Sequence, residues 1–387
     1  MLDRPRPVFS EDHGIFRDAA RRFIAEELSP HADAWEEAGL VPREAWRAAG
    51  SAGLLCCDLP AEYGGPDGDF GHCAIVAEEL ARANLSGPGF VIHSDMVATY
   101  IAKFGSEVQK KRWLPGMAAG TLIGAIAMTE PDAGSDLKGM RTKAVRDGES
   151  YVISGQKTYI SNGQNADLIV LACKTDVNGG AHGISLIVVE AAGSNGFRRG
   201  RNLAKLGMKA QDTSELFFDE VRVPLENRLG DEGQGFSMLM TNLARERLIQ
   251  AIRGTMVAET VIGWTVEHTR ERKAFGRTIS DFQNTRFVLA ELTAKAAAAR
   301  ALTDRLIGLQ LAGELDAVEA GMGKLFCTDL QWETVDRCLQ MFGGAGYMLE
   351  YPIARAWADA RVTRIAGGAA EVMKEIIGRK LFSDGKR

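Results

Sequence analysis

The residues able to do chemistry are scattered along the chain, and most familiar arrangements fail on spacing. Gly321-Met322-Gly323-Lys324 puts a lysine behind two glycines, but Leu325 follows where a phosphate-cradling loop needs Ser or Thr. Phe342-Gly343-Gly344-Ala345-Gly346-Tyr347 lacks the third glycine of a dinucleotide-binding turn, and helical rather than strand patterns flank it. A nicotinamide or flavin held in the usual dinucleotide manner is therefore disfavoured; these glycines let backbone approach a ligand, or end a helix, or both. In Ala192-Gly193-Ser194-Asn195-Gly196 an alanine occupies the first glycine of a nucleophile elbow, which argues against a serine hydrolase. His13, His31, His72, His93, His182 and His268 form no HExxH pair and none stands at metal spacing from a cysteine, so no metal is expected. Ala244-Arg245-Glu246-Arg247-Leu248 sets one carboxylate between two cations, which by itself reads as ion pairing along a helix face.

The elements that must position these residues fall into three blocks. With 387 residues, 45% of them hydrophobic, the chain can bury a substantial core in two or three units. A formal charge of -5 with no basic block leaves no footprint for nucleic acid. The opening MLDRPRPVFSEDHG has no apolar core of a signal peptide, and no apolar run is long enough to span a bilayer. Cys56, Cys57, Cys73, Cys173, Cys327 and Cys338 contain no CxxC and read as reduced packing thiols, which together suggests a cytoplasmic protein without membrane insertion. Apolar residues from Ile15 to Leu28 recur at three and four, predicting an amphipathic helix from a Ser10 cap to about Ala38. Helical patterns continue at 43 to 52, 71 to 83 and 106 to 119. Strand-like runs follow at Leu122 to Met128, Tyr151 to Ser154, Leu168 to Ala172, Ser185 to Val189 and Glu215 to Phe218, parted by turns such as Asp147-Gly148 and Asn178-Gly179-Gly180. Long helical patterns return at 236 to 270, 281 to 312, 314 to 341 and 368 to 382. The expected class is α+β: an N-terminal helical domain over 1–121, a middle antiparallel, barrel-like β-domain over 122–232, and a C-terminal four-helix bundle over 233–387.

Two segments carry a more specific signal. Ala127-Met128-Thr129-Glu130-Pro131-Asp132-Ala133-Gly134-Ser135-Asp136 closely resembles the first signature of the acyl-CoA dehydrogenase family, and Gln340 to Tyr347, followed by Glu350, Arg355 and Asp359, resembles the second. Lys157-Thr158-Tyr159-Ile160-Ser161-Asn162-Gly163, Arg272-Lys273-Ala274-Phe275-Gly276-Arg277 and Phe282-Gln283 match family segments between them, so the resemblance runs from the first helix to Arg379. The resemblance implies FAD as cofactor, an acyl-CoA substrate, electron-transfer flavoprotein as acceptor, and a homotetramer built as a dimer of dimers. The long-chain and branched-chain types are the most similar.

Residue roles carried over from that resemblance are expectations. Ile126, Met128 and Thr129 would bind the flavin ring, Tyr159 would stack on it, and Ser161 would reach N5. The family more often has tryptophan at the Tyr159 position; a phenol ring can still stack. Ser135 would lie where flavin pyrophosphate and pantetheine pass each other. Arg272, whose planar fork suits a pyrophosphate, would act with Phe275, Gln283, Gln340 and Gly344 on the cofactor of a neighbouring subunit, and Gly343 with Gly344 would let backbone approach its adenosine part. Ala369 and Glu371 complete the cofactor set, and Ala244, Arg247, Gly367 and Gly368 the substrate set.

The base is where this chain departs from many relatives. They carry a glutamate where Ile365-Ala366-Gly367-Gly368 has Gly367, which bears no carboxylate. The long-chain and isovaleryl types instead use a glutamate on an earlier helix, just before an arginine, and Glu246 before Arg247 matches it. The Gly367 position still has the backbone N–H that in the family, with a flavin ribityl hydroxyl, polarises the thioester oxygen. The expected reaction is α,β-dehydrogenation of a fatty or branched acyl-CoA to the trans-2-enoyl-CoA. A same-fold flavin oxidase or monooxygenase, and a non-catalytic binding subunit, remain the alternatives.

Overall fold

The computed structural model of the chain describes residues 5–382. Ser10 caps α1 (Glu11–Phe23) as expected, its hydroxyl accepting the His13 N–H while its own N–H donates to His13 Nδ1 at 3.0 Å. The single helix expected from Ser10 to Ala38 is broken. A π-helical turn at Ile24–Leu28 and a 3-10 turn at Ser29–His31 separate α1 from α2 (Ala32–Ala38). Pro30 has no N–H and its ring meets the carbonyl four residues back, so the helical ladder cannot pass although the apolar spacing does. α3 (Arg43–Ser51), α4 (Phe70–Arg82), α5 (Thr99–Phe104) and α6 (Glu107–Ala118) complete this block, with a π-helical run at Ile92–Ala98 leading into α5. Val91 to Ile101 is buried on nearly every side. An element without a solvated face has no periodicity to read.

Eight strands follow: β1 (Gly124–Ala127), β2 (Lys143–Asp147), β3 (Ser150–Ser161), β4 (Leu168–Lys174), β5 (Ile184–Glu190), β6 (Phe197–Asn202), β7 (Thr213–Pro224) and β8 (Arg228–Leu229). They form one sheet in the order β6-β7-β3-β2-β4-β5-β8, with β1 beside β4. Most pairings are antiparallel, but β1 runs parallel to β4 from Gly124 opposite Leu168 to Ala127 opposite Leu171, and β2 touches β4 in parallel at one position. The sheet is thus mixed where a purely antiparallel one was expected; about forty residues separate β1 from β4, ample for the crossover a parallel pair needs. β4 and β5 are buried on both faces. Leu168, Val170, Ala172, Ile184, Leu186 and Val188 enter the large core shared with the helices, and their alternates Ile169, Leu171, Cys173, Ile187 and Val189 fill a core within the β-layer.

The C-terminal block begins with α7 (Gly235–Glu271), 37 residues long. A short hairpin, β9 (Lys273–Ala274) and β10 (Arg277–Thr278), leads to α8 (Gln283–Leu311), α9 (Ala317–Phe342), α10 (Pro352–Thr363) and α11 (Ala370–Phe382). α10 is a helix that periodicity did not suggest; Pro352 occupies its first turn, where a missing N–H costs nothing. α7, α8 and α9 share a core of small residues, among them Ala251, Ala258, Ala296, Ala299 and Cys327.

Several motif positions join the blocks. Glu130, fully engaged by the N–H groups of Arg141 and Thr142 at 2.6 and 2.9 Å, pairs with buried Lys157 at 2.9 Å, so the first signature and the Lys157 segment are clamped together. Asp359 accepts from Ser86 Oγ at 2.6 Å and from the Met208 N–H, joining all three blocks. Glu78 on α4 is fully buried among Arg6, Arg17 and Arg300. All six cysteines are free and buried. Folding also gathers His13, Asp69 and His72, which spacing did not suggest. Both rings close helix caps, Nδ1 accepting the Ser10 N–H at 3.0 Å and the Asp69 N–H at 3.2 Å. Each Nε2 lies against a carboxylate, His13 on Asp69 at 2.7 Å and His72 on Asp12 at 3.2 Å, so both rings are engaged at both nitrogens.

Candidate active site

The first third of α7 divides three adjacent side chains among three environments, because successive helical residues point about 100° apart. Arg245 turns into the N-terminal block, where it meets Asp95 at 2.6 Å, Asp58, and the ring of Phe70. Glu246 is 2% exposed, and its Oε1 accepts the Tyr100 hydroxyl of α5 at 3.0 Å. Arg247 is 4% exposed; Nη1 donates to the Ala317 carbonyl at 3.4 Å and Nε is buried without a hydrogen-bond partner among the described residues.

Burial pushes the Glu246 carboxyl up to about 7, while the Tyr100 hydroxyl, the Arg247 charge and Asn242 pull it back. Asn242 is itself held, donating to Thr99 Oγ1 at 2.7 Å and accepting from Lys103 Nζ at 3.2 Å. A carboxylate poised near neutrality, without a salt-bridge partner among the described residues, suits proton transfer. Tyr100 and Asn242 were missed by sequence reasoning: Tyr100 lies in the buried run that shows no period, and only the fold turns Asn242 inward.

Facing α7 is the turn between α10 and α11. Gly367 and Gly368 have φ of +66° and +95°, values that a side chain adopts only with strain. A Cβ at Gly367 would stand 3.7 Å from Gln250 Cγ, one helical turn beyond Glu246. The glycine turn thus meets α7 one helical turn along from the buried carboxylate. Ala244 and Ala369 are half-buried, whereas Glu371 is exposed, as is Glu350.

The β-layer contributes an adjoining surface. Thr158 N–H donates to the Thr129 carbonyl at 2.9 Å, bringing the end of β1 beside β3. The β3–β7 register slips between Lys157 and Ile160, and within that bulge Tyr159 takes φ +59° and is 69% exposed. A bulge that re-aims one aromatic outward at such backbone cost is the kind of strain found beside functional sites. Thr129, Met128 and Ser161 are half-buried, Ile126 is buried, and Ser135 lies exposed in the loop after β1. That loop reaches α7, where Lys138 Nζ sits 5.4 Å from the Phe236 ring centre.

The remaining predicted residues do not join this group. Arg272 caps α7, 26 residues beyond Glu246, which is roughly 39 Å at ~1.5 Å per residue. Phe275 is 94% exposed, and Gln283, Gln340, Gly343 and Gly344 are also exposed. His268 stacks on Phe342 at 4.1 Å and so holds the ends of α7 and α9 together, gathering these residues at the far end of the bundle. One protomer thus presents two half-surfaces rather than one complete site.

Residues 10–121, 125–221 and 233–382 match the family models for the N-terminal, middle and C-terminal domains of acyl-CoA dehydrogenase. The mitochondrial long-chain specific acyl-CoA dehydrogenase of Sus scrofa is 46% identical over 381 residues, 98% of this chain and 88% of that protein. An acyl-CoA dehydrogenase from Geobacillus kaustophilus superposes with a TM-score of 0.96 at 44% identity, covering 98% of this chain and 100% of the other. A glutaryl-CoA dehydrogenase from Mycobacterium smegmatis, solved in complex with FADH2, gives 0.91 at 28% identity over 97% and 96% of the two chains.

Proposed function

Because the chain belongs to the acyl-CoA dehydrogenase family, we propose that Glu246 is its catalytic base and that long or branched acyl-CoA thioesters are its preferred substrates. The protein is an FAD-dependent acyl-CoA dehydrogenase, an oxidoreductase acting on a CH–CH bond in fatty-acid oxidation. The observation that carries the assignment of the base is the burial of Glu246, with a carboxyl raised to about 7, one turn from a glycine pair that offers no competing carboxylate.

The residues present suit a flavin. Tyr159 offers an exposed ring held outward by a bulge, next to the half-buried Thr129 and Ser161. At the far end of the bundle nothing stands within 4 Å of a Cβ built on Gly343 or Gly344, so backbone there is open to a ligand. When bound, FAD supplies the acceptor for the hydride that leaves the β-carbon as the α-proton departs, which converts the thioester to its trans-2-enoyl form. Glu246 takes the α-proton, and Tyr100 holds the carboxylate that does so. The Gly367 N–H donates to the thioester oxygen and so stabilises the negative charge that develops there. Arg247 is the substrate-side cation in this reading, which its buried Nε, without a hydrogen-bond partner among the described residues, supports.

Arg272, Phe275, Gln283, Gln340, Gly343 and Gly344 serve the cofactor of a second copy; the position of Arg272 at the far end of α7 from Glu246, and the His268–Phe342 stack that brings the end of α9 to that same end, support this. In a two-fold dimer each half-surface would complete the other, and pairs of such dimers would make the homotetramer. Electrons would pass to electron-transfer flavoprotein. No helix among the described residues is long and apolar enough to cross a membrane, and six unpaired buried thiols support a cytoplasmic setting. Anaerobic titration with acyl-CoAs of increasing length tests the reading: bleaching of the flavin by palmitoyl-CoA is expected, and an optimum at butyryl-CoA refutes the chain-length preference. Glu246→Gln should bind substrate yet lose about 10² to 10⁴ in the rate of flavin reduction; near-normal reduction refutes the base.

A further inference from the structure

Lys324 is a buried cation that the mechanism above does not use. It lies on α9 with no exposed surface, and its Nζ donates to the Gly368 carbonyl at 2.6 Å. A lysine hidden so completely is uncommon unless something recovers the lost hydration of its charge. No carboxylate takes that part: among the described residues Lys324 makes no salt bridge, and burial together with the nearby charges of Arg247 and Arg364 lowers its ammonium to about 8 against the opposing pull of Asp329. The carbonyl it holds belongs to the glycine turn facing Glu246.

The turn is fastened to α9 at a second point, where Arg364 Nε meets Asp329 Oδ1 at 2.6 Å. Between these points Gly367 and Gly368 keep positive φ. Two successive glycines have the greatest backbone freedom to lose, so an unfastened turn would sample many orientations of its peptide groups. A side chain at Gly368 is disfavoured by its φ of +95°, and its Cβ would also press on Met373 Cε at 2.7 Å. The Gly368 carbonyl belongs to the Gly368–Ala369 peptide; held there, and anchored before the turn through Arg364, the chain has little freedom left in the two peptide planes between, the first of which carries the Gly367 N–H.

We propose that Lys324 is a positioning residue for the dehydrogenation: its ammonium fixes the Gly367–Gly368 turn so that the turn's N–H is preorganised toward the thioester oxygen. The proposal deepens the reading of Gly367 above and rests on it. A donor held 2.7–3.1 Å from a developing oxyanion contributes far more than one that must be ordered during the reaction. Loss of the anchor should therefore lower the rate of the chemical step and leave ground-state binding nearly intact.

Lys324→Met keeps the length and apolar stem and removes the donor; Lys324→Gln keeps a donor that is too short to reach. In both, amide hydrogen exchange over residues 365–369 should quicken relative to α10, flavin content and melting should stay near the parent, and flavin reduction at saturating palmitoyl-CoA should fall by about 10 to 100-fold, with KM little changed. The exchange measurement does not depend on which group is the base, so it separates failure of this proposal from failure of the Glu246 assignment. Parent-like exchange in the turn, or quickened exchange with reduction within about threefold of the parent, overturns the proposal. Loss of flavin and fold in both variants overturns it as well, because Lys324 would then act through the core rather than through the turn.

Discussion

Tyr100→Phe isolates a single hydrogen bond at the base. The phenyl ring fills the same buried space beside Phe104, while Glu246 Oε1 loses the donor now 3.0 Å away. Burial raises the Glu246 carboxyl from its ordinary 4.5 to about 7, and the hydroxyl opposes that rise because it stabilises the ionised form. A hydrogen bond to a charged acceptor contributes about 1.5–3 kcal/mol, equivalent to about 1–2 pH units at 1.36 kcal/mol per unit. Arg247 and Asn242 remain on α7, with Lys103 and the Arg245–Asp95 pair behind them and Lys324 on α9, so a displacement near the lower figure is expected. A base must be ionised to accept a proton, and the rate of flavin reduction therefore rises with pH through the Glu246 pKa. In the variant that rise should move to higher pH by about one unit, while the alkaline plateau stays near the parent because Glu246 itself is fully ionised there in both proteins. Anaerobic stopped-flow reduction with saturating palmitoyl-CoA, from mildly acidic to alkaline pH, measures it directly. An unmoved profile, a shift to lower pH, or an equal loss at every pH would refute the reasoning.

The same carboxyl should leave a mark on stability. Its folded pKa lies above its unfolded value, so its contribution is fully present below 4.5 and disappears as pH rises through about 7, a difference of about 3 kcal/mol. Glu246→Gln should accordingly melt close to the parent in acid and above it at alkaline pH; equal melting temperatures throughout would argue against a strongly raised carboxyl. Adding Gly367→Glu to Glu246→Gln should restore a measurable fraction of flavin reduction, since a Cβ at Gly367 meets nothing closer than Gln250 Cγ at 3.7 Å, although the positive φ of 66° will cost about 1–3 kcal/mol of strain. A double variant as inactive as Glu246→Gln alone would mean that the two positions do not face one pocket. Arg272→Ala should lower the flavin retained through gel filtration without loss of helical content, and unchanged retention would contradict a cofactor site shared between copies.

Much of the architecture was legible because each block has its own period. Helices with one wet face, α1, α3 and the long C-terminal set, show spacing of three and four, and the central strands of the sheet show as short apolar runs between turns. The break at Pro30 was legible too, had the missing N–H been weighed above the continuing apolar spacing. The π-helical run before α5 was not, because a segment buried on all sides carries no stripe. Nor was the parallel pairing of β1 with β4, since period and turn residues identify strands without saying which lie side by side.

For the site, residue identity and local order sufficed to single out Glu246, the glycine pair at 367 and 368, and the segments around Thr129 and Tyr159. What those residues can do was decided by the tertiary structure. Arg245-Glu246-Arg247 reads along the chain as a solvated charge run, and only the packing of α7 against elements such as α5 buries the carboxylate and raises its pKa. Lys324 looks in one dimension like the remnant of a phosphate loop; in three it reaches the Gly368 carbonyl, 44 residues away. Proton affinity and the aim of a peptide N–H depend on dielectric surroundings and on partners distant in sequence, and a chain acquires both only when it folds.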